Sequence, residues 1–214
     1  YAEKDRRFQV LSNTYAKGAQ GARNTGIVAA EGEWICLFDS DDIMYPNCLE
    51  KMAAAIDEHS DVIVCKALIR NSKTGQAAGY LDKIFSSNIH ADLLREKCYV
   101  AYDVTIIRKS SLEEIGLLDE RCPSMQEWDT HIRLSKIANY KPLNDTLCEW
   151  SIGGDDAIST NRHKHIAGRL YIYRKHRCDF RKHAYAHWLR MLSNLWPEVS
   201  HPWKMILWAP ELVA

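Results

Sequence analysis

Continuous apolar runs alternate with amphipathic segments along the first 160 residues. Residues 34–38 form an unbroken apolar run of the length of a buried strand. The predicted strands are residues 7–11, 34–38, 62–69 and 100–107. The predicted helices are residues 18–30, a segment opened by Pro46, and residues 126–139. This alternation favours an α/β sheet over an all-helical or all-β fold.

Local sequence features make specific predictions for two of these helices and for one further short helix. Each glycine inside residues 18–30 costs about 1 kcal/mol relative to alanine, so we expect a backbone or a ligand to approach this helix closely. Residues 110–113 (Ser-Ser-Leu-Glu) predict a capping box for a short helix that Gly116 ends. Asp129 and Arg133 are four residues apart and predict an ion pair at an exposed site.

Aspartates follow the apolar run at residues 34–38. Asp39 and Asp41 are two residues apart, so in extended backbone both side chains face one ligand. Ligands of open α/β sheets bind at the carboxyl ends of strands, and carboxylate oxygens suit Mg²⁺ or Mn²⁺. The alternative is an acidic turn in which Asp42 or Asn47 starts the next helix.

The composition excludes few classes of partner or cellular location. The formal net charge of zero excludes neither nucleic acid nor a membrane as a partner. The seven cysteines include no Cys-x-x-Cys pair, which favours reduced thiols in a cytoplasmic protein. No apolar run approaches the roughly 20 residues of a membrane span, so we expect any membrane contact to be peripheral.

The C-terminal part, residues 161–214, differs from the catalytic part expected at residues 1–160. Residues 162–190 contain nine Lys or Arg residues and one acid, a net charge of +8. An apolar helical stripe runs through Tyr185, Trp188, Leu189, Leu192, Leu195 and Trp196. A basic, tryptophan-bearing amphipathic helix suits an anionic membrane surface. The alternative is a helix docked on the catalytic domain with a solvated basic face.

Two blocks of motifs resemble the inverting family 2 glycosyltransferases of GT-A fold. The first is Gly-Ala-Arg-Asn-Thr-Gly-Ile at residues 21–27, Ala-Glu-Gly-Glu-Trp-Ile at 30–35 and Leu-Phe-Asp-Ser-Asp-Asp at 37–42. The second is Ile-Gly-Leu-Leu-Asp at 115–119, Gln-Glu-Trp-Asp at 126–129 and Ile-Arg-Leu at 132–134. The resemblance covers about residues 5–160 and implies a Rossmann-like sheet that binds a nucleotide sugar.

The resemblance also assigns residues to the donor site. It implies a divalent metal, Mg²⁺ or Mn²⁺, that bridges the Asp-x-Asp motif and the donor diphosphate. Asp41 matches the metal-ligating position, and Asp39 matches the position nearer the ribose. Arg23 and Asn24 lie in the Ala-Arg-Asn segment, where a contact with the donor fits the affinity of guanidinium for phosphate. The alternative for Arg23 is a surface pair with Glu31 or Glu33.

Glu127 occupies the position of the family's catalytic base. Glutamate in place of the commoner aspartate is a departure, because the side chain reaches one methylene further. Inverting transfer needs a carboxylate that takes the proton of the attacking acceptor hydroxyl. The alternative is that Glu127 only complements a helix N-terminus. Trp128 is either a core residue or a platform for a sugar, and His131 either orients Glu127 or is structural. His163 or His165 could reach the donor metal.

The resemblance starts midway through the family's fold, without the first strand, the Pro-x-aromatic-Asn segment and the Asp-Asp-Gly motif. We therefore expect an N-terminally incomplete chain, with a degenerate, non-catalytic relative as the alternative.

The function expected is transfer of a sugar from a nucleotide donor to a saccharide or lipid-linked acceptor in cell-surface glycan synthesis. We expect no nucleic acid partner, and a place in the cytoplasm with peripheral contact to the inner face of the cell membrane. The rival functions are nucleotidyl transfer to a sugar phosphate and non-catalytic binding of glycan or membrane.

Overall fold

A computed structural model of the protein describes residues 2–82, 88–95, 99–153 and 162–195. Its strands are β1 (Trp34–Cys36), β2 (Ile43–Met44), β3 (Val62–Asn71), β4 (Ala77–Leu81), β5 (Thr105–Arg108) and β6 (Tyr140–Ile152). They form one sheet of order β1-β5-β3-β6-β2, with β4 paired to β3. β3 and β6 run parallel, and the other pairs are antiparallel. The expected α/β fold is confirmed.

The helices surround this sheet. They are α1 (Ala19–Ala29), α2 (Cys48–Ala54), α3 (Ile89–Leu94), α4 (Lys109–Glu114), α5 (Gln126–Leu134), α6 (Arg162–Lys175), α7 (Arg177–His183) and α8 (Tyr185–Leu195). The predicted close approach to α1 is confirmed at Gly21, where an added Cβ would lie 1.9 Å from the carbonyl oxygen of Ala16. A side chain at this position would force the preceding loop away from the helix.

Several local predictions are wrong. Residues 7–11 form no strand, and Val10 is 88% exposed, because an extended segment without a neighbouring strand gains no ladder hydrogen bonds. The capping box is also wrong: α4 begins at Lys109, so its N-cap is Arg108, which makes no side-chain cap hydrogen bond. Gly116 does follow this helix, with a φ of 76°.

The predicted strand at residues 100–107 is only partly formed. A 3₁₀ helix occupies Tyr102–Val104, and strand β5 begins at Thr105. The hydroxyl of Thr105 donates to the carbonyl of Tyr102 over 2.8 Å and closes this turn. The turn buries Asp103 beside the residues that follow β1.

The C-terminal helices pack into the main hydrophobic core. Trp188 and Leu192 are fully buried in the same cluster of side chains as Ile63 of β3 and Ile107 of β5. The prediction that this stripe faces a membrane is therefore wrong for its buried members, because the protein itself covers them. Trp196, the last residue of the stripe, lies outside the described residues.

The described cysteines 36, 48, 65, 122, 148 and 178 are free thiols. No helix within the described ranges combines the length and apolarity needed to cross a bilayer.

Candidate active site

A cavity of about 520 Å³ opens where the turn after β1, the end of β6 and the start of α5 meet. Arg23 of α1, Asp39 and Asp41 of the turn, and Glu127 of α5 all line it. His165, in the first turn of α6, also lines it. Side chains separated by more than 140 residues in the sequence are thereby brought together around one space.

Asn24 does not line this cavity. Its side-chain amide donates to the carbonyl of Leu118 over 3.0 Å and to the carboxylate of Glu120 over 2.9 Å. Its side-chain oxygen accepts the backbone N–H of Leu118 over 2.9 Å. These bonds fasten the loop after α4 to α1, so the polar atoms of Asn24 have protein partners.

Arg23 is paired inside the cavity. Its guanidinium donates to the carboxylate of Asp39 and, over 3.0 Å, to the side-chain oxygen of Gln20. It also lies 5.0 Å from the centre of the Tyr102 ring. Burial disfavours the charged form, but the hydrogen bond and the charge of Asp39 outweigh burial and raise the pKa of Arg23. The alternative pairing is wrong, and Glu33 instead pairs with Arg108.

Hydrogen bonds hold the acidic turn against β6 and the 3₁₀ helix. The backbone N–H of Asp39 donates to the carboxylate of Asp103 over 2.6 Å. The backbone N–H of Ser151 donates to Asp42 over 2.7 Å, and its hydroxyl donates to the carbonyl of Asp41 over 2.7 Å. The Asp41 side chain is exposed and accepts no hydrogen bond from the described residues. It is therefore available to a ligand in the cavity.

Half-buried Asp42 and buried Asp103 form a carboxyl pair beneath this turn. Burial and the charge of Asp103 raise the pKa of Asp42 to about 7, against the opposing hydrogen bond from Ser151. Burial also raises the pKa of Asp103. The charge of Asp103 disfavours ionisation of Asp42, so a proton held by the pair relieves their repulsion near neutral pH.

Glu127 lies in the first turn of α5, after Met125, which has a left-handed φ of 56°. Burial raises the pKa of Glu127, and the charge of Arg23 partly opposes that shift. Burial and the charge of neighbouring Glu127 raise the pKa of Tyr99. A carboxylate with a raised pKa is a stronger proton acceptor once ionised, so this environment suits a general base.

The neighbours of Glu127 belong to the core. Trp128 is buried, and its indole N–H donates to the carbonyl of Leu93 over 2.9 Å. The imidazole of His131 hydrogen-bonds the hydroxyl of Tyr140 over 2.8 Å, and burial lowers its pKa to about 3. His131 is thus a neutral structural residue, and Trp128 presents no face to a sugar.

The ion pair of Asp129 is buried, so the prediction of an exposed site is wrong. The Asp129 side chain is 1% exposed and accepts from Arg133 over 2.9 Å. It also accepts from Lys175 and His176, each over 2.8 Å. Burial opposes ionisation, but these donors lower the pKa of Asp129. This network joins α5, the helix that contains Glu127, to α6 and α7.

The carboxylates of the cavity do not form a complete metal cage. Among the described residues, no group of three or more His, Cys, Asp or Glu side chains is arranged to hold a metal ion. Mg²⁺ characteristically takes one or two protein carboxylates, and waters and substrate phosphates supply its other oxygens. Asp41 and Asp39 would be the protein ligands in that mode of binding.

The residues that sequence reasoning missed are Tyr99, Asp103 and Trp150. Asp103 could have been found, because an acid inside the apolar segment 100–107 must have a partner if the segment is buried. Tyr99 and Trp150 give no such signal, because an aromatic residue in a half-apolar segment is ordinary core composition.

Comparison with known proteins places the chain in a family. The model of glycosyl transferase family 2 matches residues 1–116. An uncharacterized glycosyltransferase of Rickettsia bellii is 26% identical over 176 residues, which cover 80% of this chain and 25% of that protein. An Escherichia coli protein, the UDP-Glc:alpha-D-GlcNAc-diphosphoundecaprenol beta-1,3-glucosyltransferase WfgD, is 54% identical over 46 residues, which cover 22% of this chain and 18% of that protein.

The structural comparison gives the fold. The crystal structure of residues 1–349 of S. aureus TarS superposes with a TM-score of 0.51 at 18% identity, covering 86% of this chain and 61% of that one. At this identity the likeness concerns the fold alone. The chain spans a quarter or less of the two relatives above. Since the family model covers more than half of its residues, the chain belongs to glycosyl transferase family 2.

Proposed function

We propose that the protein transfers a sugar from a nucleotide-diphosphate donor to a saccharide or lipid-linked acceptor, with inversion at the anomeric carbon. The observation that supports this most directly is the shared cavity: an exposed aspartate, Asp41, and a partly buried glutamate, Glu127, line the same space. One group can bind the leaving diphosphate through a cation while the other receives a proton.

In the proposed reaction, the oxygen of an acceptor hydroxyl attacks the anomeric carbon of the donor sugar. The bond between that carbon and the phosphate oxygen breaks, and the diphosphate leaves with the electron pair. Glu127 takes the proton of the attacking hydroxyl. A divalent cation, Mg²⁺ or Mn²⁺, would neutralise charge on the leaving diphosphate.

The remaining site residues would bind the nucleotide-sugar donor or position the residues that bind it. Asp41 and Asp39 would hold the cation, and Arg23 would release part of its contact with Asp39 to meet the donor. Asn24 would act indirectly, as a positioning residue, because its bonds to Leu118 and Glu120 fix the helix that contains Arg23. His165 lines the same cavity and would contact the donor phosphates.

The relative from Escherichia coli suggests the substrate class. Its name specifies a UDP-glucose donor and an acceptor sugar on a diphosphate-linked polyprenol. We propose the same classes here, a UDP-sugar and a saccharide on a lipid diphosphate, in the synthesis of a cell-surface polysaccharide. The exposed basic residues of α6 and α7 would bring the protein to the anionic inner face of the membrane that carries such an acceptor.

Calorimetry of UDP binding, with and without Mn²⁺, tests the donor site. We expect Mn²⁺ to increase the affinity of the protein for UDP, and Asp41→Asn to remove most of that increase. Asp145→Asn is a matched control, because this carboxylate is also exposed but pairs with Lys51 far from the cavity. An unchanged Mn²⁺ effect in Asp41→Asn would rule out the proposed site of the cation.

A further inference from the structure

One wall of the cavity is a pair of stacked aromatic rings. The rings of Tyr99 and Trp150 have their centres 5.6 Å apart and their planes inclined by 22°. Both side chains are partly buried, and both line the cavity. Offset stacking of this kind is a favourable arrangement for two aromatic rings, so each ring holds the other in place and keeps one face that its partner does not cover.

This wall adjoins the proposed base on one side and the acidic turn on the other. Tyr99 and Glu127 both line the cavity, and burial together with the charge of Glu127 raises the pKa of Tyr99. Trp150 directly precedes Ser151, whose backbone N–H holds Asp42 of the acidic turn. The neighbouring side chain, Glu149, points away from the cavity and bonds Tyr45 and Arg70. Strand β6 therefore directs the Trp150 side chain into the part of the cavity between Glu127 and the acidic turn.

The aromatic wall is apolar, whereas the residues proposed to bind the donor, Arg23, Asp39 and Asp41, are charged. Aromatic rings present an extended apolar face with a negative electrostatic potential at its centre. The face of a pyranose that carries C–H groups is apolar and weakly positive, so it complements such a ring. Leu81 and Ile152 extend the apolar lining beside the pair. A ring held here leaves its hydroxyl groups free at its edge.

The position of the wall decides which substrate it serves. A group held against Tyr99 lies next to Glu127, and the reaction requires a hydroxyl at that carboxylate. A pyranose ring supplies hydroxyls around its edge, whereas a polyprenyl chain supplies none. Orienting one hydroxyl towards the base is also the kind of positioning that accelerates a two-substrate reaction.

We propose that the Tyr99–Trp150 pair is the acceptor platform, which binds the C–H face of a pyranose and turns one of its hydroxyls towards Glu127. This assignment rests on the proposed function of the cavity. It also gives the platform role to Trp150 rather than to Trp128, whose side chain is enclosed in the core.

Saturation-transfer NMR with methyl β-D-glucopyranoside as the probe tests the platform. In the presence of UDP and diamagnetic Mg²⁺, we expect saturation of the probe's ring C–H protons by the wild-type protein. Trp150→Phe retains an aromatic face and should retain the signal. Trp150→Leu retains apolar volume without a ring, and the affinity for the probe should fall about tenfold. Acyclic glucitol, which lacks a ring face, should show no saturation with any variant.

A second variant separates the ring of Tyr99 from its hydroxyl. Tyr99→Phe keeps the stacked surface and should leave binding of the probe unchanged. Transfer should reach its half-maximal rate at a higher pH, because the charged form of Glu127 loses a neighbouring polar group. A role of Tyr99 confined to folding would shift the melting temperature and leave the pH profile in place.

The outcomes distinguish this inference from the proposed function. If UDP fails to bind the wild-type protein, the proposed function falls and the acceptor assignment falls with it. If UDP binds but the pyranoside shows no saturation, or Trp150→Leu keeps the full signal, the platform alone is refuted. Saturation of farnesyl phosphate without saturation of the pyranoside would indicate that the wall binds lipid. That result would also refute the proposed acceptor platform. The wild-type spectra decide the question even if Trp150→Leu does not fold.

Discussion

Substitution of Glu127 by glutamine separates the proposed catalytic role from a structural one. The amide has nearly the shape of the carboxylate but cannot accept the acceptor's proton at neutral pH. We expect the transfer rate to fall by about 10²–10⁴, the usual contribution of a general base, which corresponds to roughly 3–5 kcal/mol of activation free energy. The affinity for UDP should barely change, because the diphosphate is proposed to bind at Asp41.

The stability of this variant gives an independent measurement. Burial raises the pKa of Glu127, so the folded protein favours the protonated side chain more than the unfolded chain does. For an acid with a raised pKa, the stabilisation is present at low pH and is lost as the pH rises through the folded pKa. Above that pH, ionised Glu127 destabilises the fold. Glu127→Gln should therefore melt at or above the wild-type temperature at pH 8, while its transfer rate collapses.

A matched control uses the same substitution at an exposed site. Glu114→Gln lies at the end of α4, outside the cavity lining, and should alter neither the transfer rate nor the melting temperature. Glu127→Gln that transfers at the wild-type rate would refute the assignment of the base. Asp129→Asn is unsuitable as a control, because Asp129 is fully engaged in a buried ion network.

The structure supports three further predictions. Asp129→Asn should cost about 3–5 kcal/mol of unfolding free energy in urea, because it leaves buried cations without their partner, while Asp145→Asn at an exposed pair should cost under about 1 kcal/mol. Trp188→Ala should cost about 3–5 kcal/mol, measured in the same way, since its side chain is fully buried. Reversing the exposed charges with Arg177→Glu and Lys182→Glu should weaken binding to phosphatidylglycerol vesicles at least about tenfold at an unchanged melting temperature. Unaltered vesicle binding would contradict a role for this basic face.

The acidic turn could be predicted from the sequence because its determinants are local. An apolar run that ends abruptly in aspartates specifies a buried strand followed by a polar turn, and both form at Trp34–Cys36 and residues 39–42. The close approach at Gly21 could also be predicted locally. A glycine inside a helix destabilises it, so its presence indicates that a larger side chain would not fit there. In each case one short segment contains both the pattern and its cause.

The rest of the site depends on contacts between distant segments. Trp150 stacks on Tyr99, and Asp103 receives the backbone N–H of Asp39, 64 residues away in sequence. The apolar stripe around Trp188 illustrates the same limit. Helical periodicity identifies which face of a helix is apolar, but only the tertiary structure shows whether protein or lipid covers that face. Here the protein core covers Trp188, so the periodicity was right and the inferred environment was wrong.

The charge distribution of the cavity gives a physical reason to expect a cation with the donor. Its lining includes one guanidinium, from Arg23, and five carboxyl groups: Asp39, Asp41, Asp42, Asp103 and Glu127. A diphosphate entering alone would add negative charge to a site that already raises the pKa of Asp42 and Glu127. A divalent ion held by Asp41 would offset two of these negative charges. UDP should therefore bind weakly without Mn²⁺, and its metal-free affinity should fall further as the pH rises through about 7 and the Asp42–Asp103 pair loses its proton. Metal-free UDP binding that is tight and independent of pH would show that the diphosphate avoids these carboxylates, and the donor site would have to lie elsewhere.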